Sequence, residues 1–124
     1  MQILVIGNLG YVGPVVVKRI RKYSPESIIT GFDIGFFRQL HTDYSGYYAN
    51  NVDIQYYGDV RKFPDEILGG MDSIVYLSAI SNDPMGNEFE DITYQINQKC
   101  ALDIALMAKK RGAKNFVYAS SCSV

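Results

Sequence analysis

Gly7, Gly10 and Gly13 stand in the run Gly7-Asn8-Leu9-Gly10-Tyr11-Val12-Gly13, a spacing suited to holding phosphate. Gly7 permits a tight bend. Gly10 has no side chain, so a pyrophosphate can approach the backbone there. Gly13 lets a following helix pack close to the preceding strand. The helix N-terminus then offers unpaired N–H groups and the positive end of its dipole. Twenty residues beyond Gly13 lies Asp33, where a carboxylate hydrogen-bonds the ribose hydroxyls of the adenosine half of NAD. The other reading of Asp33 is a residue that merely ends a strand and starts a turn; the order strand, glycines, helix and acid favours the cofactor role. As a ribose ligand it would repel a 2′-phosphate, which favours NAD over NADP; Arg38 is the nearby cation that could answer such a phosphate.

These residues need a scaffold that brings them to one place, and the hydrophobic pattern supplies it. Residues 2–6, the apolar run Ile3 to Ile6 entered from Gln2, have the character of a strand buried on both faces. A helix follows over 12–23, with Val12, Val15, Val16 and Ile20 at helical spacing. Further strands are expected at 27–32, 52–56, 73–77 and 115–119, with a short helix at 64–68 and a long one at 92–111 that stops at Gly112. Residues 35–51 are aromatic and polar without a clear period, and are expected to form an ordered loop with short helical pieces. Strands alternating with helices imply an α/β fold, a Rossmann-type doubly wound parallel sheet of order 3-2-1-4-5. Ligand should bind above the carboxyl ends of strands one and four, where the order reverses.

The chain has 124 residues, 48% of them hydrophobic and 20% charged, with a net charge of −1. That is enough for one domain with a real core, and it excludes a disordered chain. No basic cluster suggests a nucleic-acid surface. No apolar run approaches a membrane span, and the N-terminus has no signal-peptide pattern. Cys100 and Cys122, with His41 as the sole histidine, lack metal-ligand spacing and read as reduced thiols of a cytoplasmic protein. His41 reads as a surface residue of the loop.

The chain resembles the N-terminal part of the extended short-chain dehydrogenase/reductases, the NAD-dependent nucleotide-sugar epimerases and dehydratases. The likeness covers essentially all of it. It rests on the glycine turn, Asp33, Gly58-Asp59-Val60-Arg61, Tyr76-Leu77-Ser78-Ala79, Asn97, and Ala119-Ser120-Ser121-Cys122-Ser123-Val124. The resemblance implies that Gly7, Gly10, Tyr11, Val12, Gly13 and Asp33 take the cofactor. It places Asp59 at the adenine amino group and Val60 against the ring; a plain turn is the other reading of Asp59. Leu77, Ser78 and Ala79 would run beneath the cofactor, although the family more often has alanine or glycine at the place of Ser78. Asn97 would support the central site, or be an exposed polar residue of the helix. Ser121 takes the place of the family's catalytic hydroxyl, which hydrogen-bonds the sugar group being oxidised; without the family, Ser120, Ser121 and Ser123 are small polar residues ending a strand.

The family's proton transfer uses a Tyr-x-x-x-Lys pair, in which the lysine lowers the tyrosine pKa. None occurs here; Tyr57 is followed at that spacing by Arg61. The domain is therefore expected to be incomplete, ending after strand five with one sheet face undercovered and without a substrate domain. Alone, it should bind dinucleotide weakly and turn over nothing. Asn82 and Asp83 could touch substrate or form an Asx-turn before Pro84. The parent would be a nucleotide-sugar epimerase or dehydratase, paired as a homodimer through helix 92–111. A non-catalytic dinucleotide-binding regulatory module and a nucleotide-sugar reductase share the same front half. The particular sugar, nucleotide and reaction are not written in these residues.

Overall fold

Ile3 and Val5 point to one side of the first strand and Leu4 and Ile6 to the other, and all four are buried. That is why this strand is apolar throughout: helices cover both of its faces. A computed structural model describes residues 1–37, 51–80 and 89–120. Among them lie β1 (Gln2–Ile6), α1 (Gly13–Tyr23), β2 (Ile28–Asp33), β3 (Ile54–Tyr57) and β4 (Ser73–Tyr76). Then come α2 (Glu90–Tyr94), α3 (Ala101–Lys110) and β5 (Asn115–Tyr118). Short 3₁₀ turns at Val60–Lys62 and Asp65–Leu68 bridge β3 to β4.

All strand pairs are parallel, and the order is β3-β2-β1-β4-β5, as the alternation of elements implied. One face of the sheet packs Leu4, Ile6, Phe32, Ile74 and Tyr76 against Ala101, Ile104 and Ala108 of α3. The other packs Ile3, Val5 and Ile29 against Val17 of α1, with Ile20 beside them. At the edge, Val117 and Tyr118 of β5 stay 54% and 44% exposed.

Two expectations need correction. Of the helically spaced Val12, Val15, Val16 and Ile20, Ile20 packs beside the core, but Val12 is 53% and Val15 68% exposed. The close approach at Gly13 turns positions 13, 17 and 20 inward, and Val12 and Val15 rotate out. The long helix is not uniform either. It begins at Glu90, and its middle, Gln95–Cys100, is π-helical. Its apolar residues divide between core and solvent: Ile104 and Ala108 are buried, with Ile96, Cys100 and Met107 beside them, while Leu102 and Leu106 are exposed.

Arg21 near the end of α1 fastens that helix to the sheet. Its guanidinium donates to the carbonyls of Pro25 at 2.9 Å, Ser27 at 2.8 Å and Asn51 at 3.2 Å, and to Asp53 at 2.6 Å. Asp53 also accepts the Ile29 amide at 2.6 Å, so one charge pair ties α1, β2 and the start of β3. Among the described residues, no helix is long and apolar enough to cross a membrane.

Candidate functional site

The three glycines do three different jobs. Gly7 has a φ of 86°, which L side chains rarely adopt, and a Cβ there would lie 2.7 Å from the Ser78 amide nitrogen. So the chain must turn at Gly7, and it turns directly against the segment leaving β4. Its amide donates to the Phe32 carbonyl of β2 at 2.8 Å. At Gly13 a Cβ would stand 2.3 Å from the Asn8 carbonyl oxygen, so the close packing is against the turn itself rather than the strand. Gly10 is different: among the described residues, a Cβ there would meet only the Gly7 carbonyl oxygen, at 3.4 Å. None of those residues requires that position to be bare. A ligand approaching the backbone would. The start of α1 beside it has no side-chain cap and no acidic residue in its first turn, and Pro14 supplies no N–H. Tyr11 is 96% exposed on the same turn.

Asp33 closes the site from β2. It is 8% exposed, and its carboxylate accepts the Leu9 amide at 2.9 Å and the Gly35 amide at 2.7 Å. Both of its readings from sequence are therefore compatible. It shapes the turn beyond its strand, and a carboxylate has roughly four acceptor positions, so capacity is left for ribose hydroxyls. Under the turn lies a feature that sequence reading missed. The buried Asn8 amide donates to Gln55 of β3 at 2.7 Å and accepts from it at 3.3 Å.

Asp59 caps the 3₁₀ turn after β3 by accepting the Arg61 amide at 2.9 Å, and its carboxylate also pairs with the Arg61 guanidinium. The Arg61 side chain holds the Asp59 carboxyl below its ordinary range. Val60 is 9% exposed and belongs to the core packed against α3.

The segment after β4 reaches the same end of the sheet. The Leu77 amide donates to the Ile6 carbonyl at 2.8 Å, and Ser78 lies against Gly7. Leu77 and Ser78 are half-buried and Ala79 is exposed. Asn97 is not an idle polar residue. Its Oδ1 accepts the Ile80 amide at 2.9 Å and its Nδ2 donates to the Ile80 carbonyl at 2.8 Å, so it clamps this segment by its backbone. The clamp sits on the π-helical stretch, where widened turns change how carbonyls are satisfied. Tyrosines from two strands donate to carbonyls there, Tyr76 to Ile96 at 2.6 Å and Tyr118 to Asn97 at 2.7 Å. Burial pushes the Tyr76 hydroxyl far above its ordinary pKa, so it remains a donor. In the sequence, Tyr76 stands out only as the first residue of Tyr76-Leu77-Ser78-Ala79 and Tyr118 only as a strand residue; neither signals a bond to the helix.

Arg38, His41, Asn82, Asp83, Ser121 and Cys122 lie outside the described residues. Cys100 is half-buried, and desolvation raises its thiol pKa, which keeps it protonated and unreactive. The glycine turn, Asp33, and residues Leu77 to Ile80 thus converge above the carboxyl ends of β1, β2 and β4. Such a place binds a dinucleotide in folds of this class. The bare Gly10, the uncapped helix and the carboxylate beside them fit its pyrophosphate and ribose.

The family model of the NAD dependent epimerase/dehydratase family matches residues 3–124. The N-acetyl-alpha-D-glucosaminyl-diphospho-ditrans,octacis-undecaprenol 4-epimerase of Escherichia coli O157:H7 is 28% identical over 125 aligned residues, covering 99% of this chain and 33% of that protein. The UDP-glucose-4-epimerase of Stenotrophomonas maltophila, solved with bound NAD and formylated UDP-arabinopyranose, superimposes with a TM-score of 0.81 at 16% identity, over 100% of this chain and 38% of that one. The UDP-N-acetylglucosamine 4-epimerase of Methanobrevibacter ruminantium M1, in complex with UDP-N-acetylmuramic acid, gives 0.80 at 20% identity, over 99% and 38%. The chain therefore spans about a third of the length of these relatives, and at such identities the structures establish the shared fold.

Proposed function

The chain belongs to the NAD dependent epimerase/dehydratase family, and from that premise we propose that it is the NAD-binding part of an enzyme that epimerises or dehydrates a nucleotide-linked sugar by transient oxidation of a sugar hydroxyl. The observation that carries this reading is the convergence of Gly10, Asp33 and the Leu77–Ile80 backbone at one end of the sheet. Solved relatives of the same fold hold NAD and UDP-sugars.

The residue roles are as follows. Gly7, Gly10, Tyr11, Val12 and Gly13 form the pyrophosphate cradle, where backbone N–H groups and the α1 dipole offset the negative charge. Asp33 accepts the adenosine ribose hydroxyls while keeping its bonds to Leu9 and Gly35. Asp59 takes the adenine amino group, with Val60 against the ring. Leu77, Ser78 and Ala79 pass beneath the cofactor, and Asn97 fixes their course through Ile80 rather than by touching the ligand. When bound, NAD supplies the hydride acceptor for the sugar carbon. Ser121 hydrogen-bonds the sugar hydroxyl and orients it for loss of its proton. The 124 residues contain no Tyr-x-x-x-Lys, so this part alone is inactive, and the complete protein works as a homodimer in the cytoplasm.

The test uses the complete protein with NAD and a panel of UDP- and dTDP-linked hexoses, with products separated by chromatography. Conversion of at least one sugar is expected. Ser121→Ala should lower turnover by about a hundredfold or more while NADH affinity holds. NADH binding without conversion of any nucleotide sugar would point instead to a regulatory dinucleotide-binding module. Full activity in Ser121→Ala would show that the active site has been misplaced.

A further inference from the structure

Gly31 sits in the middle of β2, a place where glycine weakens a strand, and its φ is not positive. Its reason lies above it. A Cβ at Gly31 would come within 2.5 Å of both Asn8 Nδ2 and Gln55 Oε1. The missing side chain opens a channel across β2, and two amides meet through it. Gln55 is the register partner of Gly31 on β3. Its side chain lies over that glycine and reaches Asn8, which is 47 residues away in sequence and 3% exposed.

Asn8 is the residue between the bend at Gly7 and the Leu9 amide held by Asp33. Its backbone is also the surface against which Gly13 packs. Three consecutive residues of the turn are thus anchored to three different groups: Gly7 to the Phe32 carbonyl, Asn8 to Gln55, and Leu9 to Asp33. The first and third anchors are on β2. The middle one comes from β3, and it is the one made by a pair of amides that bond each other in both directions.

We propose that Asn8 and Gln55 are a positioning pair that braces the phosphate-binding turn through the gap left by Gly31. The inference rests on the dinucleotide-binding reading above and deepens it. Neither amide touches the ligand. The pair holds the turn in its binding conformation, so that ligand binding does not have to order it. Removing Gln55 would leave a buried amide on Asn8 unpaired, and the turn would shift or loosen to hydrate it.

The experiment titrates the intact protein with NADH by fluorescence, with ADP-ribose as a second probe that carries the same pyrophosphate. Gln55→Leu keeps the volume and removes the amide. Gln55→Asn keeps an amide but is one methylene too short to cross β2, and it serves if the leucine variant does not fold. Both should raise the Kd for each probe about tenfold. Asn8→Gln added to Gln55→Asn restores the summed length and keeps an amide on each side, and should return the Kd to within about threefold of the unmodified protein. That rescue separates a hydrogen-bonded brace from mere packing. Folded leucine and asparagine variants that bind as the unmodified protein does would overturn the proposal, as would a double swap that binds no better than Gln55→Asn alone. Failure of the unmodified protein to bind NADH would instead overturn the cofactor reading, and this inference with it.

Discussion

Asp33 accepts the amide of Leu9 at 2.9 Å, so the acid that ends β2 and the glycine turn that follows β1 form one unit. The carboxylate that would bind ribose also sets the backbone that would bind phosphate. A change at either position should be felt at both.

Substitutions at the three glycines should separate fold from ligand. Gly13→Ala places a methyl 2.3 Å from a backbone oxygen, and Gly7→Ala combines a 2.7 Å contact with a φ of 86°. Each should lower stability by about 3 kcal/mol or more in denaturant unfolding. Among the described residues, the methyl of Gly10→Ala meets only one atom, at 3.4 Å. This variant should unfold within about 0.5 kcal/mol of the unmodified protein and still lose NADH affinity by about tenfold or more.

The Asn97 clamp should be visible as local stability. Asn97→Ala leaves the Ile80 N–H and carbonyl unpaired, which should cost about 1–3 kcal/mol. Tyr76→Phe removes the donor to Ile96 and should cost about 1–2 kcal/mol. In both variants the Ile80 amide should exchange with solvent faster than in the unmodified protein. Unchanged exchange at Ile80 in Asn97→Ala would show that the clamp does not hold the segment.

Asp53 should contribute to acid sensitivity. The Ile29 amide first, and then the Arg21 guanidinium, hold its carboxyl below the ordinary 3.8. Its folded pKa is therefore below its unfolded one. The stabilisation is present above the unfolded pKa and is lost as pH falls through the folded pKa. Asp53→Asn should lower stability by about 1 kcal/mol at pH 7, reduced from the value for a buried group because the side chain is partly exposed. The gap between variant and unmodified protein should close as pH falls through the folded pKa.

Much of this was legible in the sequence, for a physical reason. The strand order follows from alternating periods, and the turn follows from glycines whose chemistry is local. What was not legible depends on register. Gln55 reads as an ordinary strand residue until β3 pairs with β2 and sets it beside Gly31. The outward turn of Val12 and Val15 depends on how closely Gly13 meets Asn8, a contact that helical spacing cannot reveal. The π-helical stretch was hidden too, because its carbonyls are answered by tyrosines from β4 and β5.

The exposed stripe of α3 should mediate pairing of the complete protein. Leu102 and Leu106 are 56% and 59% exposed on the side away from the sheet. Sedimentation at micromolar concentration should show a dimer. Leu102→Glu with Leu106→Glu should give a monomer that still binds NADH, and a dimer surviving that double change would place the interface elsewhere.

Cofactor choice tests the central claim most directly. In parallel titrations of the intact protein, NADH should bind more tightly than NADPH by on the order of a hundredfold, because the buried Asp33 carboxylate would face the 2′-phosphate. Asp33→Asn keeps the shape and one acceptor but removes the charge, so it should weaken NADH and narrow that ratio. NADPH binding as tightly as NADH, or a ratio unchanged in Asp33→Asn, would contradict the assignment of this end of the sheet as an NAD site.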